Sequence, residues 1–84
     1  MKIFTYHHCD EWATWNSMEI ADTYYADTED GRRKLLAAIT ADIDAGCVEL
    51  IGDIGFLNND ISCGNMQNAN DRLKYGHICV MEPA

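Results

Sequence analysis

Residues 29–46 read EDGRRKLLAAITADIDAG. Leu35, Leu36, Ile39 and Ile43 recur at three- and four-residue spacing, which lines them up as one apolar stripe and predicts an amphipathic helix over Glu29–Ala45. Asp27 or Thr28 can cap its start, and Glu29 and Asp30 suit the positive end of the helix dipole. Gly46 supplies the left-handed residue that commonly ends a helix. Asp30, Arg33, Lys34, Ala37, Ala41 and Asp44 fall opposite the stripe and are expected to face water, with Asp30 and Lys34 spaced for an ion pair.

The flanking segments prefer sheet. Lys2–Cys9 is rich in β-branched and aromatic residues and predicts a first strand; Cys47–Ile51 and Leu73–Met81 predict two more, the last stopped by Pro83. Residues 10–27 are expected to make a short turn or helix around Trp12 and then a strand, because Ile20, Thr23, Tyr24 and Tyr25 favour extended backbone. Residues 53–71 are rich in Asn, Asp and Gly, which favour turns. They predict a long loop with a short helix near Met66–Arg72. The fold class is therefore α+β: one domain over residues 1–84, a small antiparallel sheet with one long amphipathic helix packed on one face.

Composition agrees with a folded protein. Of 84 residues, 48% are hydrophobic, with two Trp, four Tyr and two Phe, whereas acidic disordered tails are poor in aromatic residues. Neither a long apolar run nor a basic, apolar leader is visible, so a soluble cytoplasmic protein is expected. The four cysteines, Cys9, Cys47, Cys63 and Cys79, lack a secretory context and are expected to be reduced.

Charge is unevenly spread along the chain. Between Ile3 and Gly31 lie seven carboxylates and no lysine or arginine, and Leu35–Asp71 adds six more acids with no base. The positive charge is confined to Lys2, Arg32-Arg33-Lys34, Arg72 and Lys74, and the formal net charge is −8. Such a chain repels nucleic acid and anionic membrane, and a basic protein surface is its natural target. Trp12, Trp15, Tyr24 and Tyr25 are interleaved with acids, the pairing of residue types found in protein interfaces. The expected charge donors are Asp10, Glu11, Asp22, Asp27, Glu29 and Asp30, with Trp15 and Tyr25 as aromatic anchors.

Catalytic and cofactor signatures are weak. His8, Cys9 and Asp10 are consecutive, and neighbours on a strand point to opposite faces, so they cannot line up as nucleophile, base and orienting acid. Gly52 and Gly55 lack the lysine of a phosphate loop, and Asn58, Asn59, Asp60 and Ser62 lack the spaced acids of an EF-hand. No enzyme activity and no cofactor are expected. One alternative is a zinc module. His7 and Cys9 share one face of the first strand, and His77 and Cys79 share one face of the last, so neighbouring strands would bring two imidazoles and two thiolates together. Another is a homo-oligomeric regulatory subunit that buries its exposed aromatics against a second copy.

Small size, an acidic surface, no catalytic apparatus and no export signal together resemble the small anti-defence proteins of phages and mobile elements, anti-CRISPR proteins above all. The resemblance is one of overall character and rests on no motif. It implies a non-enzymatic inhibitor that occupies the basic site of a nucleic-acid-binding protein, a CRISPR effector complex among the candidates, in the host cell cytoplasm. The protein would act as a monomer or homodimer and would touch neither nucleic acid nor membrane directly.

Overall fold

Eight elements follow one another in a computed structural model that describes residues 2–8 and 24–82. They are β1 (Ile3–His8), β2 (Tyr24–Ala26), α1 (Glu29–Ala45), β3 (Glu49–Leu50), α2 (Ile54–Ser62), α3 (Met66–Asp71), β4 (Leu73–Lys74) and β5 (Gly76–Met81). β1 is central in an antiparallel sheet of order β2-β1-β5, and β3 and β4 form a second, two-stranded sheet. The fold is α+β, with the 17-residue helix α1 packed against the larger sheet.

α1 has the bounds that its periodicity predicts. Thr28 is the cap: its hydroxyl accepts from the Gly31 N–H at 3.0 Å. Gly46, at φ 83°, ends the helix by donating to the carbonyls of Asp42 and Ile43. Leu35 and Ile39 are fully buried, Leu36 and Ile43 pack beside them, and the predicted outer face is exposed throughout. Gly31 has a different role. A Cβ there would overlap the Ala26 carbonyl oxygen, so the absence of a side chain is what lets β2 turn straight into α1.

The register fixes which side of the sheet is inside. Phe4 lies opposite Tyr25 and Val80, and Tyr6 opposite Ile78; residues paired across strands share a face. Phe4 and Ile78 are buried, and Tyr6 and Tyr25 pack against the same core. The Tyr6 hydroxyl donates to Asp42 Oδ2 at 2.7 Å, tying the last turn of α1 to the central strand. Burial, then that hydrogen bond and the charge of the Asp42 carboxylate, push the Tyr6 hydroxyl far above its ordinary value.

Residues 53–71 depart from the predicted loop, because Ile54–Ser62 is helix α2. Asp53 caps it, accepting from the Gly55 N–H at 2.7 Å. Asn58, Asn59 and Asp60 are poor helix formers, costing together about 2 kcal/mol relative to alanine. Full burial of Leu57 and Ile61 contributes about 1.5–3 kcal/mol each and outweighs that cost. Asn58 and Asn59 simply occupy the solvent side. The short helix near Met66 is present as α3.

The predicted strand over 73–81 is two strands. Tyr75, at φ 69°, turns the chain between β4 and β5. On β5 the backbone of Ile78 is held by a side chain: Asn70 Oδ1 accepts from the Ile78 N–H at 2.7 Å, and Asn70 Nδ2 donates to its carbonyl at 2.9 Å. Both groups of Ile78 therefore point away from β1. Of the turn or helix and following strand expected over residues 10–27, Tyr24–Ala26 is strand β2, paired with β1, and residues 10–23 lie outside the described residues.

Two outcomes are expected. Gly31→Ala, which helix propensity alone would favour by about 1 kcal/mol, should instead lower stability by about 2 kcal/mol through overpacking against Ala26, measured by urea denaturation. A folded-state value for Tyr6 above the unfolded 10.0 means that its contribution is intact below about pH 10 and is lost as pH rises further. The urea midpoint should fall above about pH 10, and Tyr6→Phe should flatten that fall.

Candidate functional site

The acidic start of α1 is largely balanced from within. Asp30 receives Arg33 at 2.7 Å and Lys34 at 3.0 Å, three and four residues along the same helix. Hydrogen bonding from Lys34, then from Arg33, holds the Asp30 carboxyl below its ordinary value. Asp27 binds Arg32 at 2.6 Å, and Arg32 Nε also donates to the Ser62 carbonyl at 3.0 Å, so this pair links the start of α1 to the end of α2. Glu29 is exposed and has no salt bridge among the described residues. Glu29, Arg32, Arg33, Leu36 and Ser62 line a surface depression of about 370 Å³, in which both guanidinium groups are already engaged by Asp27 and Asp30.

The remaining predicted residues divide. Tyr25 lies on the core side of β2, half-buried. The ring that β2 turns outward is Tyr24, 53% exposed, one position earlier. Asp10, Glu11, Trp15 and Asp22 lie outside the described residues.

β1 and β5 are neighbours, as the zinc alternative requires. His7 sits directly opposite His77, and Thr5 opposite Cys79, so His7, His77 and Cys79 share the sheet face away from the core. Cys9 lies outside the described residues. Among the described residues no three His, Cys, Asp or Glu side chains converge closely enough to hold a metal ion. Cys47, Cys63 and Cys79 are free thiols.

A second surface escaped sequence reasoning. Ile51, Ile54 and Phe56 are 54%, 39% and 60% exposed around the start of α2. Arg72 joins the ends of this segment: its carbonyl accepts from the Ile51 N–H at 2.7 Å, and its guanidinium lies 5.0 Å from the Phe56 ring centroid. The same guanidinium donates through Nε to Asp60 Oδ2 at 2.6 Å, and Asp60 is buried. Glu49 and Asp53 flank Ile51 along the chain and Asp71 precedes Arg72; all three are exposed and without salt bridges among the described residues. One signal was available: once residues 54–62 are helical, Phe56 falls off the stripe set by Leu57 and Ile61.

No protein-family model, curated protein or solved structure matches this chain. The described surface carries exposed carboxylates, exposed apolar side chains and solvent-exposed ion pairs.

Asp60 depends on Arg72 for compensation of a buried charge. Arg72→Met should lower stability by about 2–3 kcal/mol, since removing one member of a buried pair strands the other. Adding Asp60→Asn to that variant should recover part of the loss in a thermal-melt comparison, the non-additivity expected of partners.

Proposed function

We propose that this chain is a non-enzymatic inhibitor of the anti-CRISPR kind, whose acidic surface occupies the basic nucleic-acid-binding site of an effector protein. The supporting observation is the charge left after internal pairing. Three acids, Asp27, Asp30 and Asp60, are bridged to four bases, Arg32, Arg33, Lys34 and Arg72. Glu29, Asp44, Glu49, Asp53, Asp71 and Glu82 have no salt bridge among the described residues, and the bases outside those bridges are Lys2 and Lys74.

The position of Asp44 strengthens the reading. It stands in the last turn of α1, where no basic residue is present. A carboxylate at the negative end of a helix costs about 0.3–1 kcal/mol relative to a favourable cation there, so this charge works against folding and is available for another purpose. A surface of this sign is drawn to a cationic groove, and nucleic acid and inhibitor, both anionic, then compete for the same lysines and arginines. The exposed bridges at Asp30 can be exchanged for a partner's cations, while Asp27 and Asp60 remain committed to the fold. No helix among the described residues is long and apolar enough to cross a membrane.

The test is displacement of labelled DNA from purified CRISPR effector complexes, followed by anisotropy. The protein should compete with DNA and do so less well as NaCl rises from about 50 to about 300 mM. Asp44→Lys, Glu49→Lys and Asp71→Lys combined should weaken inhibition by about tenfold or more. Failure to displace DNA from any effector, or displacement insensitive to salt and to charge reversal, would remove the reading.

A further inference from the structure

We infer that Ile51, Ile54 and Phe56, flanked by Glu49, Asp53 and Asp71, form the docking surface for an amphipathic basic segment of a partner protein. This deepens the proposed function and rests on its premise that the partner is cationic. The apolar part is open to solvent: among the described residues Phe56 is the most exposed of the large hydrophobic side chains, at 60%, and Ile51 follows at 54%. Scattered exposed apolar residues need no explanation, but these three fall within six consecutive positions, and Arg72 contacts both ends of the run, the Ile51 backbone and the Phe56 ring.

Charge complementarity chooses the occupant. Arg72, the cation in contact with the patch, is already held by Asp60, and Lys74 stands opposite Glu49 on the neighbouring strand, so four acids, Asp60 with exposed Glu49, Asp53 and Asp71, stand against two bases in this region. A partner segment that places aliphatic or aromatic groups on the patch and lysine or arginine at its margins satisfies both parts. A second copy of this chain fits poorly. Two-fold pairing would place the same acid-rich margin on both sides of the interface, and like charges brought together across an interface are repulsive. Phe56 also has the Arg72 guanidinium 5.0 Å from its ring centroid, a contact that restricts the ring before a partner arrives and lowers the ordering cost of binding.

The probe is an end-labelled peptide of alternating Leu and Lys clusters, about four helical turns long, compared with one in which Ser replaces Leu at the same charge. The Leu/Lys peptide should bind about tenfold tighter than its Ser counterpart. Phe56→Ser and Ile54→Ser, both at exposed positions, should each weaken it by about tenfold, as truncation at an interface centre does. Glu49→Gln with Asp53→Asn and Asp71→Asn should weaken it several-fold and flatten its salt dependence; asparagine preserves the cap of α2. Amide-shift mapping on the folded wild type should place the peptide on residues 49–56 and 71–72. Unchanged affinity in Phe56→Ser, shifts centred elsewhere, or a wild-type dimer in sedimentation that Phe56→Ser dissolves would each overturn the assignment. DNA displacement that persists in Phe56→Ser would remove this surface and leave the inhibitor reading standing; peptide docking here without displacement from any effector would do the reverse.

Discussion

Among the described residues ten buried apolar side chains, from Phe4 to Ile78, form one core in a chain whose formal charge is −8. Every element of the described structure except β2 and β3 contributes at least one of them, so the sheets and helices share a single core and none is stable by itself. Fully burying a Leu, Ile or Phe contributes about 1.5–3 kcal/mol, while self-repulsion among surface carboxylates opposes compaction. The internal bridges of Asp27 and Asp60 lie at the joins between α1 and α2 and between α2 and the end of α3.

Parts of this arrangement are written locally in the chain and parts are not. α1 was legible to its ends because periodicity, an N-terminal hydroxyl and a C-terminal glycine all point to the same bounds. α2 was not, because Asn58, Asn59 and Asp60 carry local turn preferences, whereas the burial of Leu57 and Ile61 and the pairing of Asp60 with Arg72 arise only in three dimensions. The break at Tyr75 has the same character: a tyrosine at positive φ announces nothing in sequence. Alternation along β2 predicts that one of Tyr24 and Tyr25 faces outward, but the register of Tyr25 against Phe4 decides which.

Charge shows the gap between chain order and space most clearly. Arg32, Arg33 and Lys34 form a knot set apart from the acids before them, and segregation of that kind suggests separate faces. Winding the segment into a helix reverses the conclusion, because residues three and four apart become neighbours and the knot folds back onto Asp30, with Arg32 reaching Asp27. The acid surplus then belongs to Asp44, Asp53 and Asp71, which have no salt bridge among the described residues, and to Glu49, which has Lys74 opposite it on β4 but no bridge within reach. This is also where the exposed Ile51, Ile54 and Phe56 stand, so hydrophobic exposure and uncompensated charge coincide in a segment that chain order had suggested was a loop.

Asn70 bears on what the β5 edge of the sheet offers to other molecules. By presenting its amide to both backbone groups of Ile78, it imitates a neighbouring strand and closes the middle of an edge that would otherwise template stacking with other molecules. Growth of the sheet into a filament from that side must first evict a side chain making two hydrogen bonds. A single polar residue, carried on a helix of six residues, thus serves as a guard against aggregation.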